Sequence, residues 1–156
     1  MDEGEEMDLM EQVKIRVLDY DDLDAIVEID KEVLGKERPD YWQMKIELSE
    51  SRSPMASLVA ELDGRVVGFI LGDASGWEYG VPDTVGWIDT IGVHPKYQKK
   101  GIARLLFKEM VTNLKKVGVD TIYTFVNWRD WDLLHFFDKM GFQKGDMIHL
   151  ELKLEG

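Results

Sequence analysis

The 156-residue sequence contains no cysteine. This absence excludes a disulfide framework, a thiolate zinc site and a catalytic thiol. Histidine is also scarce: His94, His135 and His149 lie far apart and show no paired metal-binding spacing, so we expect no metal site. No run of 18 apolar residues is present, which argues against a membrane-spanning helix.

Basic residues are few: the sequence has 19 Lys and Arg residues but 31 Asp and Glu residues, and its net charge is −12. Non-specific nucleic-acid binding requires neutralisation of phosphates, so we expect no nucleic-acid partner, and an acidic surface favours cationic partners. Residues 1–11 hold six acids and no base, the reverse of a signal peptide. We therefore expect a disordered acidic tail over 1–11, and a soluble, cytoplasmic protein with no membrane partner.

Apolar residues are abundant: 44% of the residues are hydrophobic, and 10% are aromatic. This composition and the chain length predict one globular domain over residues 12–156. Periodicity and turn residues predict the element order βααβββαβαβ, a mixed α and β (α+β) fold. The predicted strands cover 13–17, 55–61, 65–72, 85–93, 120–126 and 148–154, and the predicted helices cover 20–34, 39 to about 50, 100–117 and 131 to about 140.

The most informative stretch runs from Val93 to Ala103, where a strand end is followed by a glycine-containing loop that opens an amphipathic helix. The first turn of a helix offers N–H groups without intrahelical partners at the positive end of the helix dipole, which suits a phosphate or pyrophosphate. Lys99 and Lys100 add positive charge. The alternative interpretation is a plain strand-to-helix turn.

The segment Gln98-Lys99-Lys100-Gly101-Ile102-Ala103 resembles the Q/R-x-x-G-x-G/A signature of the GCN5-related N-acetyltransferase (GNAT) family. The segment from Phe136 to Phe142 is similar to the Y-e-k-l-G-F segment of that family. The resemblance extends from residue 13 to the C-terminus. It implies a central, mostly antiparallel sheet flanked by helices, in which a splayed parallel strand pair binds acetyl-CoA as co-substrate.

The resemblance also implies the cofactor contacts. The splayed strands are 85–93 and 120–127, and the pyrophosphate is expected within the loop Gln98 to Ala103, at the N–H groups of Lys100, Gly101, Ile102 and Ala103. Ile91 and Val93 are expected to meet the cofactor, and a backbone N–H near Val93 to stabilise the oxyanion. Asn127 and Phe137 are further candidate contacts, although Asn127 is an equally good turn or helix cap.

Acetyl transfer to an amine requires removal of a proton, and Asp89 is the first candidate for the base. Its apolar neighbours predict burial that raises the carboxyl pKa, and strand alternation predicts that Asp89, Ile91 and Val93 share one face. Many members of the family carry the acid two residues earlier, where Trp87 stands here. A structural hydrogen-bonding role for Asp89 stays open, and Glu78 and Tyr79, on a nearby loop, are the alternatives for the base.

Phe137 stands where the family usually has a tyrosine that protonates the departing CoA thiolate. Phenylalanine has no exchangeable proton, so water or Tyr123 is the alternative acid, or the step needs none.

These inferences predict an N-acetyltransferase that moves acetyl from acetyl-CoA to a primary amine by direct attack in a ternary complex. The expected acceptor is cationic: a lysine, a protein N-terminus or a polyamine. A catalytically weak acyl-CoA-binding sensor or interaction module is the alternative function, and a protein-binding domain without a cofactor is a third. A homodimer is an open alternative for the assembly.

Overall fold

The structure is a computed structural model, and it describes residues 11–74 and 78–155. The strands are β1 (Lys14–Val17), β2 (Leu58–Leu62), β3 (Arg65–Asp73), β4 (Val85–Val93) and β5 (Thr121–Thr124). The helices are α1 (Leu23–Leu34), α2 (Pro39–Arg52), α3 (Ile102–Lys116) and α4 (Trp131–Lys139). The elements form two compact units, one ending at Thr124 and the other beginning at Phe125.

The first unit is built on a five-stranded sheet with the order β1-β2-β3-β4-β5. The pairs from β1 to β4 are antiparallel, and β4 pairs with β5 in parallel. Asp63 and Gly64 turn the chain between β2 and β3 with positive φ angles of 51° and 76°, the backbone that a two-residue type I′ hairpin requires. The predicted mixed α and β fold with a mostly antiparallel sheet is confirmed.

The apolar stripes of α1 and α2 bury one face of the sheet. Ile26, Ile29, Trp42 and Ile46 from the helices pack with sheet residues that include Phe69, and these helical side chains are at most 2% exposed. The helix predicted over residues 20–34 consists of a 3-10 turn (Tyr20–Asp22) followed by α1. The helix ends at Gly35, as the sequence predicts, and Gly35 adopts the left-handed conformation.

The opposite face of the sheet is covered by α3, whose inward residues Ile102, Leu106, Met110 and Leu114 are at most 1% exposed. The helix lies very close to the strands. A Cβ on Gly72 would lie 2.9 Å from the sulfur of Met110. Glycine in the strand therefore permits the close approach that fixes α3 against the sheet.

The second unit contains α4. Asp130 caps its N-terminus, since the Asp130 carboxylate accepts a hydrogen bond from the N–H of Leu133 (3.1 Å). Beyond Gly141 the described residues belong to no helix and to no strand. The prediction of a final strand over 148–154 is therefore wrong for this chain: the alternation is present, but a strand also needs a partner for its backbone groups.

Several predictions fall outside these observations. The acidic tail over 1–11 lies outside the described residues except for Glu11, which is helical. The prediction of one domain over 12–156 stays a prediction. Within residues 11–74 and 78–155, no helix is both long enough and apolar enough to cross a membrane.

Candidate active site

The parallel pairing of β4 with β5 stops halfway along β4. Its last pair is Ile88 with Thr124, and the hydroxyl of Thr124 donates to the carbonyl oxygen of Ile88 (2.9 Å). β4 continues to Val93 while pairing with β3, so residues 89–93 have no β5 partner. The two strands are thus splayed, as expected, and one side of the β4 backbone is left open.

The ladder pattern shows which backbone groups face this opening. The N–H of His94 donates to the carbonyl oxygen of Val67 (2.8 Å), so His94 is directed toward β3. Because backbone groups alternate between the two sides of an antiparallel strand, the N–H groups of Ile91 and Val93 point to the open side. On the same side, the carbonyl oxygen of Val93 accepts a hydrogen bond from Gln98 Nε2 (2.9 Å).

Asp89 occupies a β-bulge. Leu71 pairs with Thr90, and the next residue, Gly72, pairs with Ile88, so Asp89 is the extra residue on β4. The bulge reverses the alternation of side chains. Asp89 therefore lies on the α2 side of the sheet, whereas Ile91 and Val93 lie on the α3 side, and the prediction that the three share one face is wrong.

The surroundings of Asp89 also differ from the prediction of burial. Its side chain is 42% exposed, and it forms an ion pair with Lys45 of α2, which is 23% exposed. The bulge turns the carboxylate out of the apolar run of β4 and toward the helix. Sequence reasoning missed Lys45, because the two residues are 44 positions apart and no local pattern marks Lys45 as a partner.

A small cavity of about 80 Å³ lies beside this ion pair. Its charged lining residues are Lys45, Arg52, Asp73 and Asp89. Arg52 pairs with Asp73 (3.3 Å), which also accepts a hydrogen bond from the Ser53 hydroxyl (2.8 Å). Two cations and two carboxylates thus line the cavity, which is locally balanced in charge although the whole chain is strongly acidic.

On the other side of β4, the loop from His94 to Gly101 leads into α3. Gly101 is the N-cap of α3 with φ of +87° and no side-chain cap, and the first turn of the helix contains no acid. The N–H groups of that turn have no intrahelical acceptor. Lys99, itself at φ of +62°, and Lys100, whose ammonium lies 5.8 Å from the Tyr97 ring centre, supply positive charge.

These features fit the pyrophosphate of acetyl-CoA. The donors are uncapped, the local charge is positive, and the open side of β4 ends where the loop begins. Ile102 is buried with 1% exposure, so it contributes its backbone rather than its side chain to any ligand. No cluster of three metal-ligating side chains occurs in the part of the chain that the structure describes.

Two of the candidate residues, Asn127 and Phe137, lie in the second unit. The side chain of Asn127 accepts a hydrogen bond from the N–H of Arg129 (3.0 Å), which is the turn-capping role. Phe137 is 4% exposed and packs edge-on against Phe136 and Phe142, with ring centres 5.3 and 4.9 Å away. Phe137 is therefore part of the apolar packing of this unit, whereas Trp128 and Trp131 are 67% and 71% exposed.

The remaining candidates surround Trp87. The ring of Tyr123 packs edge-on against Trp87 at 5.3 Å, and Tyr79 lies 5.9 Å away in a 3-10 turn (Glu78–Gly80). Tyr79 has a positive φ of 55° and is 75% exposed. The ring of Trp87 therefore contacts two tyrosine rings, and both phenols stay candidates for proton transfer.

Comparison with known proteins agrees with this geometry. The model of the Acetyltransferase (GNAT) family matches residues 23–142. An acetyltransferase of Pectobacterium atrosepticum is 28% identical over 145 residues, covering 91% of this chain and 96% of its own length. An acetyltransferase of Sodalis glossinidius is 29% identical over 141 residues, covering 88% and 92%. The structure of the aminoglycoside N-acetyltransferase AAC(6')-Iy in complex with CoA has a TM-score of 0.76 at 18% identity, covering 90% of this chain and 94% of that one.

Proposed function

Since the chain belongs to the acetyltransferase (GNAT) family and is an acetyl-CoA-dependent N-acetyltransferase, we propose that it acetylates a primary amine by direct attack in a ternary complex. The observation that carries this proposal is the open side of β4, which runs from the bulge at Asp89 to the uncapped first turn of α3. When bound, acetyl-CoA supplies a thioester carbonyl to the attacking amine. The residues of the chain bind, orient and move protons around it.

The loop from Gln98 to Ala103 holds the pyrophosphate through the N–H groups of Lys100, Gly101, Ile102 and Ala103, with Lys99 and Lys100 adding positive charge. The N–H groups of Ile91 and Val93 face the opening, where they orient the acyl end. The N–H of Val93 is the donor positioned to stabilise negative charge on the carbonyl oxygen.

Asp89 is the proposed general base. It lies at the edge of the opening, is partly exposed, and already holds an ammonium group, that of Lys45. The acceptor amine is expected to replace Lys45 at the carboxylate, lose a proton to Asp89 and attack the carbonyl as a neutral amine. Lys45→Met should therefore lower the KM for the amine and leave the dissociation constant of CoA unchanged.

The acceptor is proposed to be a cationic amine, since the position beside Asp89 accepts an ammonium group in this structure. The balanced charge of the neighbouring cavity also suits an amine that carries a carboxylate, which would meet Arg52 or Lys45. A panel of lysine peptides, free N-terminal peptides, polyamines and amino acids, read by release of CoA thiol, tests these acceptors. If CoA binds but no amine releases thiol above the background of hydrolysis, the chain is an acyl-CoA-binding sensor instead.

The base is tested with Asp89→Asn and a matched control, Asp73→Asn, which removes the other carboxylate of the same cavity. Asp89→Asn is expected to lower kcat about a hundredfold or more at neutral pH while CoA affinity is kept. The loss should shrink as pH rises, because the amine then arrives neutral. A loss of equal size in both variants, or one that is constant with pH, would assign Asp89 a structural role.

A further inference from the structure

One lysine of the chain holds its ammonium group at the proposed catalytic base. Lys45 lies in α2 and forms an ion pair with Asp89, at the bulge of β4. Its Nζ also lies 5.7 Å from the ring centre of Tyr41, one helical turn earlier in α2. Because the Lys45 side chain is only 23% exposed, most of its stem is covered by protein. The ammonium group is therefore held at the site by contacts within the first unit.

The position of Lys45 along β4 is that of an acceptor amine. Asp89 is the first residue of β4 beyond the last pair with β5, so the ion pair lies where the open side of the strand begins. The N–H groups proposed to orient the acyl end, those of Ile91 and Val93, follow at about 7 and 13 Å along the strand. The stem of lysine has four carbons and is flexible, so rotation about its outer bonds moves Nζ toward the acyl end without a movement of α2.

Other lysines of the first unit differ in position. Lys99 and Lys100 follow β4 and precede α3, so they lie at the end of the opening that is proposed to hold the pyrophosphate. Lys31 has a carboxylate partner, Glu37, at 3.1 Å, but this pair joins α1 to the segment before α2 and has no part in β4. The Lys31 side chain is also 54% exposed. Lys31 is therefore a paired lysine outside the site, which makes it a control for Lys45.

We propose that Lys45 is a site of self-acetylation, at which the chain transfers the acetyl group of its own bound acetyl-CoA to this lysine. The step rests on the proposed function, because it uses the same base and the same opening. Asp89 takes one proton from the Lys45 ammonium, and the neutral Nζ then attacks the thioester carbonyl. The N–C bond forms, the C–S bond breaks, and a second proton passes from the nitrogen to the departing thiolate, directly or through water. Asp89 finally releases its proton to water.

Acetylation changes the charge at the site. An acetylated lysine is neutral, so it no longer forms an ion pair with Asp89. The carboxylate is then free to receive an external amine, which is the electrostatic effect expected of Lys45→Met. The first acetyl group that reaches the site would thus remove the ammonium that competes with the acceptor.

Mass spectrometry of the full chain after incubation with acetyl-CoA, read lysine by lysine, provides the first test. Lys45 should gain an acetyl group at neutral pH at least about tenfold faster than Lys31, because only Lys45 is positioned at the acyl end. Its rate per molecule should not depend on protein concentration, because the lysine and the site belong to one chain. Direct chemical acetylation would instead favour the more exposed Lys31. Equal or slower labelling of Lys45, or a rate that rises with protein concentration, overturns the proposal.

Matched variants test the base in this step. Asp89→Asn should lower the rate of Lys45 acetylation about a hundredfold and leave that of Lys31 unchanged. Glu37→Gln removes the carboxylate partner of Lys31 and should leave the rate at Lys45 unchanged. Lys31 labelling within each variant serves as the internal standard, so the comparison holds even if a variant is less stable. Undiminished labelling of Lys45 in Asp89→Asn overturns the proposal.

The amine panel separates self-acetylation from transfer to an external amine. If an added amine releases CoA thiol while Lys45 of the wild type stays unmodified, self-acetylation is wrong and the proposed function stands. If Lys45 is acetylated in the wild type but not in Asp89→Asn, and no amine of the panel releases thiol, self-acetylation is supported and the proposed transfer to an external amine is wrong.

Discussion

Gly101→Glu is the variant that tests the pyrophosphate site most directly, and the structure supplies a matched control in Gly118→Glu. The two glycines flank the same helix, α3, and both have left-handed backbones, with φ of +87° and +92°. A side chain at either position costs about 1–2 kcal/mol of backbone strain. A Cβ on Gly118 meets nothing within 4 Å, so strain is not compounded by a clash there.

The helix dipole separates the two variants in stability. A carboxylate near the N-terminus of a helix is stabilising by about 0.3–1 kcal/mol, and one near the C-terminus is destabilising by a similar amount. Gly118→Glu is therefore expected to lower the free energy of unfolding by about 1.3–3 kcal/mol, and Gly101→Glu by no more than about 1.7 kcal/mol. Urea denaturation measures both.

CoA affinity should change in the opposite order. Two like charges about 4 Å apart repel by about 4 kcal/mol at an effective dielectric constant of 20, so Gly101→Glu should weaken CoA binding at least about a hundredfold. Gly118→Glu should bind CoA like the wild type. Calorimetric titration of the folded proteins decides the matter: an unchanged CoA dissociation constant in Gly101→Glu, or equal losses in both variants, would refute the placement of the pyrophosphate at this turn.

Three further predictions concern stability. Burial raises the pKa of Asp30. Two hydrogen bonds from Arg38, both 2.9 Å, and the positive charge of Arg38 lower it by more than burial raises it, so the pKa of Asp30 lies below its usual value. The stability that this pair contributes is therefore present above about pH 4 and is lost as pH falls through the lowered pKa of Asp30. Asp30→Asn should lower the free energy of unfolding by about 1–3 kcal/mol at pH 7, and it should flatten the acid side of the curve of stability against pH. Gly72→Ala should cost about 2 kcal/mol or more, since its Cβ would lie within 3.0 Å of two backbone oxygens, while Gly145→Ala, with open space around it, should be neutral in thermal denaturation. Removal of residues 1–11 should leave the melting temperature and CoA affinity unchanged, and a drop of several degrees would show that this segment packs on the domain.

Local signals in the sequence determined most of the elements and the uncapped start of α3. The Asp63-Gly64 pair has few backbone solutions other than a hairpin turn, and the glycine before an amphipathic helix at Gly101 marks an uncapped helix start. Such features are encoded within a few residues, so they can be read without knowing the remainder of the fold. The same is true of β4, whose predicted bounds of 85–93 match the structure.

Long-range pairing decided the rest. One extra residue in the register between β3 and β4 turns Asp89 from the side of Ile91 to the side of α2, where Lys45 meets it. Alternation along a single strand cannot reveal a bulge, because a bulge is a property of two strands. Residues 148–154 show the same limit: their alternation favours a strand, but a strand forms only where the fold supplies a partner for its backbone groups.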